Sequence, residues 1–311
     1  MGVTEWRLLA QSAPVDEASL KDLAGVGREV GKRLLAILPG WTPLDWSNHR
    51  AARWRSGALG GELQPLGHLH AIGLDDLLGI DDQKRQLTAN TEQFVRGHPA
   101  NNALLWGARG TGKSSLIHAL LNRYADQGLR LLEVDKHALA DIAAIVARVD
   151  GEPYRFLLVC DDLSFEADDA SYKALKSALE GSVFTQSANV LIYATSNRRH
   201  LLPEYMSENV AATHVQGELH ESEAVQEKIS LSDRFGLWLS FYAFRQDAYL
   251  LVAEHWLARL ADEHQADAVW DEATRQAALR WALARGVRSG RTAFHFAKQH
   301  VGGLLLARDG D

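Results

Sequence analysis

The sequence predicts an α/β fold: a parallel sheet covered by helices, a C-terminal helical lid, and a mostly helical N-terminal extension. Three observations lead there. Between Ala103 and Phe244, short apolar runs alternate with segments of helical periodicity, as strands joined by crossover helices do. The runs are apolar throughout rather than at every second residue, which fits strands buried on both faces. After Asp247 no such run recurs and only helical spacing remains.

Taken in order, residues 1–72 form the extension. Glu17 to Leu38 reads as a helix, with Leu20, Leu23, Val26, Val30, Leu34 and Leu35 on one face, and Pro39-Gly40 stops it. The next stretch, WTPLDWSNHRAARWRSGALGGELQPL, has two readings. It is either a strand and turns packed on the main domain, or a nucleic-acid contact. In the second case Arg50, Arg53 and Arg55 bind phosphates and Trp54 stacks on a base. The α/β domain is expected over residues 73–246. Its strands are Ala103–Gly107, Leu129–Val134, Phe156–Asp161, Asn189–Thr195 and Leu237–Phe244. Its helices are Gly112–Asp126, Lys136–Arg148 and Asp169–Gly181. Residues 247–311 make the lid, with helices at Tyr249–His264, Glu272–Ala284 and Gly290–Leu306.

The sharpest motif is GARGTGKSS, comprising Gly107, Ala108, Arg109, Gly110, Thr111, Gly112, Lys113, Ser114 and Ser115. Glycines let backbone N–H groups curl around phosphate oxygens, and the following helix adds its positive end. Lys113 is placed to reach the terminal phosphates and Ser114 to hold Mg²⁺. The required context surrounds it, an apolar run before and Leu116, Ile117, Leu120, Leu121 and Tyr124 at helical spacing after. ATP is the expected ligand.

FLLVCDDLSF then ends an apolar run in two acids. Asp161 falls at the strand edge where ligands bind in such sheets, suited to Mg²⁺ together with Ser114. Asp162 is the expected base for water. It is shorter than a glutamate by about 1.5 Å, so hydrolysis is slow or nucleotide is merely held, and Glu166 is the alternative base. Cys160, the only cysteine, excludes an intrachain disulfide and reads as a buried apolar residue.

Four further motifs fall in a set order around these: LLGIDDQ (Leu77–Gln83), ATSNRR (Ala194–Arg199), LSDRFG (Leu231–Gly236) and SGRTA (Ser289–Ala293). With the cradle and the acid pair, the chain resembles an AAA+ ATPase from about residue 72 to 306. DDLSFE, YKALKSALEG and ATSNRRHL also resemble an uncharacterised bacterial AAA+-type family of unknown function. The resemblance implies that Leu78 and Gly79 frame the adenine, with Ile80 as apolar cover. It implies that Asn197 is the sensor that positions the attacking water. Arg234 would be the finger that enters a neighbouring subunit's site, and Arg291 the lid arginine that meets the γ-phosphate. A homo-oligomer is implied with them.

Composition limits the alternatives. The net charge of −7 argues against a protein that coats nucleic acid by bulk charge. The first residues lack a basic region followed by an apolar one, and no apolar stretch spans a bilayer. A cytoplasmic protein without a membrane partner is expected. His68 with His70, and His295 with His300, lack a metal-ligand set. VDKHALADI lacks the aromatic and glycine of a polypeptide-gripping loop. The leading expectation is an ATPase acting as a nucleotide-dependent switch or assembly factor. The alternatives are a DNA-associated loader or initiator, using the Arg/Trp stretch with Lys173 and Lys176 as a further basic face, and a small-molecule kinase.

Overall fold

The computed structural model describes residues 44–57, 60–67, 69, 71–165, 169–179, 188–197, 214–215, 218–219, 231 and 233–309. The helix expected at Glu17–Leu38, and Glu166, Arg198, Arg199, His68 and His70, lie outside the described residues.

The elements in chain order are β1 (Ala51–Arg55), β2 (Glu62–Pro65), α1 (Asp81–Val95), β3 (Ala103–Gly107), α2 (Lys113–Tyr124), β4 (Leu129–Glu133), α3 (Ile142–Val149), β5 (Arg155–Cys160), α4 (Ala170–Leu179), β6 (Val190–Ser196), β7 (His214–Val215), β8 (Glu218–Leu219), β9 (Leu237–Phe241), α5 (Gln246–His264), α6 (Glu272–Ala284) and α7 (Gly290–Asp309). Seven strands form one sheet in the order β2-β1-β4-β5-β6-β3-β9. Every pairing in it is parallel except β1 with β2. Short β7 and β8 pair separately.

Adjacent strand residues divide between two cores, because successive side chains point to opposite faces. Leu104, Leu132, Leu158 and Ile192 pack on one face with α3 and α4 residues such as Ile145 and Leu175. Leu105, Leu131, Leu157 and Tyr193 pack on the other with Leu87 of α1 and Ile117 and Leu120 of α2. The apolar runs are continuous for that reason.

The sheet starts earlier in the chain than the sequence suggests. β1 and β2 fall within the expected extension, yet β1 pairs in parallel with β4, Ala51 opposite Leu131 and Arg53 opposite Glu133. The Arg/Trp stretch is therefore a strand and its turn. Trp54 is 2% exposed, and its indole N–H donates to Asp141 at 2.9 Å. Arg53 donates through Nε and Nη2 to one Glu133 oxygen at 3.0 and 2.6 Å. Arg50 pairs with Asp126 at 2.8 Å and Arg55 with Gln64 at 2.9 Å. Of the two readings of this stretch, the strand and turns packed on the main domain is the one found, and Trp54 is a core ring rather than a base-stacking one.

Helix α1 is not legible in the sequence. Its buried face is Leu87, Asn90, Thr91 and Phe94, at helical spacing but half polar. The polar half is satisfied inside: Asn90 donates to the Tyr193 hydroxyl at 3.0 Å and to the Asn101 carbonyl at 2.8 Å. Tyr193 and Thr91 share a further hydrogen bond of 2.8 Å.

The C-terminal helices pack through Tyr249, Val252, Ala253, Ala278, Ala293 and Phe296, with Leu78 of the preceding loop against them. No helix among the described residues is long and apolar enough to cross a membrane.

Candidate functional site

The site forms at the C-terminal ends of β3, β5 and β6, three neighbours in the sheet. The turn after β3 depends on missing side chains. Gly107 has φ 130°. A Cβ there would lie 1.9 Å from the Phe241 carbonyl oxygen, which instead accepts the Ala108 N–H at 2.9 Å. Gly110 and Gly112 are also left-handed, φ 75° and 102°, a region that costs glycine nothing. Thr111 closes the loop, its hydroxyl donating to the Ala108 carbonyl at 2.8 Å. The chain then enters α2 with Lys113 as its first residue.

Lys113 is buried. Its ammonium donates to the carbonyls of Gly107 and Ala108, each at 2.8 Å, and to Asn197 Oδ1 at 3.3 Å. Burial holds its pKa below the ordinary lysine value, against the pull of Asp161 and Asp162. An anion arriving in the loop would supply the countercharge that the carbonyls provide only in part.

Ser114 Oγ donates to Asp161 Oδ1 at 2.7 Å. Thr195 Oγ1 donates to the same oxygen at 2.5 Å, and the Asp162 N–H donates back to Thr195 Oγ1 at 2.9 Å. Asp162 is left-handed, with φ 53°. Its carboxylate accepts from Asn197 Nδ2 and faces Arg109 Nη2 at 3.8 Å. The oxygen donors of Ser114 and Asp161 suit Mg²⁺, which takes one or two protein oxygens and fills its octahedron with water and phosphate. Among the described residues no three His, Cys, Asp or Glu side chains cluster as a metal cage. Cys160, beneath Asp161, is fully buried and pushed up to about 12 by burial first and the Asp161 charge second, so it carries no thiolate chemistry.

The loop opens on a cavity of about 930 Å³ between the sheet and the C-terminal helices. Leu78 and Ile80 line it, and Gly79 bends the chain between them at φ 75°. The opposite wall is Phe244, Val252, Trp256 and Phe294, with the Trp256 and Phe294 rings edge to face at 4.8 Å. Arg291, exposed on the first turn of α7, also lines it, and its backbone N–H donates to the Gly110 carbonyl at 3.2 Å. Gly110 lacks a Cβ where one would meet Ser289 Oγ at 2.9 Å and Arg291 Cβ at 3.1 Å.

Asp76 ties the two walls together. Its carboxylate takes the Gly73 N–H at 2.7 Å and His255 Nε2 at 3.1 Å, and pairs with Arg259. Burial works to raise this carboxyl, but Arg259, the Gly73 N–H and His255 outweigh it and hold it low.

Of the residues expected from sequence, Arg109 to Ser115, Asp161, Asp162, Asn197, Leu78, Ile80 and Arg291 meet at one cavity. Gly107 and Ala108 stand behind it as acceptors for Lys113. Arg234 is not on its wall; it lies in the turn before β9, the edge strand. Several participants escape the sequence reading, Thr195, Trp256 and Phe294 among them. Thr195 carries a detectable signal, a hydroxyl two residues before Asn197 on one strand. Trp256 and Phe294 carry none, since their spacing on α5 and α7 reads as ordinary core.

A family model described as "Protein of unknown function (DUF815)" matches residues 47–304. No curated protein matches. Among solved structures, the RuvB Holliday junction branch migration motor of Thermotoga maritima aligns with TM-score 0.50 at 17% identity, over 76% of this chain and 66% of that one. A point variant of the same RuvB aligns with TM-score 0.52 at 18% identity over the same shares, so this chain spans just under two thirds of their length. A second point variant aligns at 0.52 and 18%, over 77% and 68%. At these identities the likeness is one of fold alone.

Proposed function

This chain belongs to the DUF815 family of unknown function, and we propose that it is an AAA+ ATPase. It binds ATP with Mg²⁺, hydrolyses it to ADP and phosphate, and couples nucleotide state to rearrangement of a homo-oligomer or a partner. One observation carries the reading: Lys113, Ser114, Asp161, Asp162 and Asn197 converge around one left-handed glycine loop at the head of a helix. Among the alternatives, a loader gripping DNA through Arg53 and Trp54 loses its main support, because both side chains are engaged within the fold.

The loop N–H groups and the start of α2 bind the phosphates. Lys113 leaves its carbonyl acceptors for phosphate oxygen and gains a full countercharge. Ser114 and Asp161 would hold Mg²⁺, which would supply charge neutralisation to the phosphates. Asn197 orients a water whose oxygen attacks the γ-phosphorus; the bond to the β–γ bridging oxygen breaks, and Asp162 takes the proton. Leu78 and Gly79 frame the adenine, with Ile80 as apolar cover. Arg291 reaches the γ-phosphate from the lid, and Arg234 enters the site of a neighbouring copy.

The test is phosphate release from ATP with Mg²⁺ at several protein concentrations. Lys113→Ala and Arg234→Ala chains are each expected to lose activity, and mixing them is expected to restore part of it. A parent chain with neither ATP binding nor turnover refutes the ATPase. Turnover without rescue over a range of mixing ratios refutes the shared site.

A further inference from the structure

We propose that Thr195 is a positioning residue that fixes both acids of the site, Asp161 for the metal and Asp162 for water. The inference rests on the phosphate-cradle reading above and assigns a role to a residue outside the expected set. Thr195 is 2% exposed at the end of β6, between the acid pair and Asn197. Its hydroxyl has one proton. The Asp162 N–H can only donate, and an ionised carboxylate can only accept. The direction of the chain is therefore fixed: Asp162 N–H to Thr195 Oγ1 at 2.9 Å, then Thr195 Oγ1–H to Asp161 Oδ1 at 2.5 Å.

The same residue holds the turn from its other side. The Thr195 carbonyl accepts the Leu163 N–H at 2.7 Å, and the Ser196 hydroxyl donates to the Leu163 carbonyl at 2.8 Å. These bonds bracket Asp162 and account for its left-handed backbone. Without the turn, a short acid following β5 would follow the strand direction. With it, the carboxylate reaches Asn197. Asp161 gains as well. Ser114 shares its Oδ1 now, but a serine that turns to a metal ion gives up that bond, and Thr195 is then the donor that keeps the carboxylate oriented. Partners behind a metal ligand are worth about 10–100-fold in metal affinity.

A merely structural threonine would tolerate valine with some loss of stability and no specific effect on metal. The experiment measures binding of a fluorescent ATP analogue to the full chain with Mg²⁺ and with EDTA, for the parent, Thr195→Val and Thr195→Ser. The Val variant is expected to keep its EDTA affinity within about twofold and to lose about tenfold or more of the gain that Mg²⁺ confers. The Ser variant, which keeps the hydroxyl, is expected to retain that gain. An unchanged Mg²⁺ gain in Thr195→Val overturns the proposal. Should that variant fail to fold, loss of the gain in a folded Thr195→Ser chain overturns it too, because the hydroxyl is then not the cause. A parent that binds no analogue refutes the cradle itself, and the role of Thr195 with it.

Discussion

Asp162 is one of two non-glycine residues among the described ones with positive φ. Aspartate and asparagine tolerate that region because a short polar side chain can bond locally, as Asp162 does with Asn197. The shorter acid is thus suited to a turned backbone, where a glutamate would sit less well and reach past Asn197. Asp162→Asn is expected to unfold at a urea midpoint close to the parent's, so that any rate loss, about 10²–10⁴-fold for a removed base, reports chemistry. Asp162→Glu is expected to be less stable than Asp162→Asn by about 1 kcal/mol. Equal midpoints for the two variants would show that the left-handed turn does not select the shorter side chain.

The element that most changes the reading is β1. It extends the sheet beyond β4 toward β2, and its Trp54 ring packs in the same core as Ile142, Ile145 and Leu132 while the indole N–H meets Asp141. Truncating a buried aromatic costs about 3–5 kcal/mol. Trp54→Ala is expected to lose that much in equilibrium unfolding, whereas Trp54→Phe loses mainly one hydrogen bond. A ring serving a ligand would show the reverse pattern, stability preserved and binding lost. Helix α1 shows the complementary limit of sequence reading. Asn90 and Thr91 occupy core positions because Tyr193 lies across the sheet layer to receive them, and Asn90 and Thr91 look like surface residues until that partner is known.

Over the whole molecule, the cavity owes its shape to the approach of the C-terminal helices, and Asp76 is the ionic tie across it. Its carboxyl is held below the ordinary aspartate value, with burial opposing and Arg259, the Gly73 N–H and His255 prevailing. A depressed carboxylate stabilises the fold above its unfolded-state value and loses that contribution as pH falls through the folded value. Asp76→Asn is therefore expected to melt below the parent at neutral pH, with the gap closing as pH falls below the ordinary aspartate value and through the lowered folded one. A gap that persists undiminished into that range would place the effect in packing rather than charge. Asp76 and Arg259 both line the cavity, so a looser tie would act on its shape.

The glycine-rich loop, the acid-tipped strand, the strand before Asn197 and the three C-terminal helices were legible in the chain alone. Each is specified locally: glycine backbone freedom, hydrophobic period and helix spacing are properties of consecutive residues. Cys160 as buried core was legible on the same grounds, whereas Leu78, Ile80, Asn197 and Arg291 were named through the resemblance and not from local pattern. The tertiary structure was needed to pair the Arg53/Trp54 strand with β4 and to show that α1 buries a polar face, that Trp256 and Phe294 wall the cavity, and that Thr195 joins Asp161 to Asp162. These depend on partners distant in sequence. A side chain's polarity is readable in the chain, but what satisfies it is settled only when another strand or helix arrives beside it.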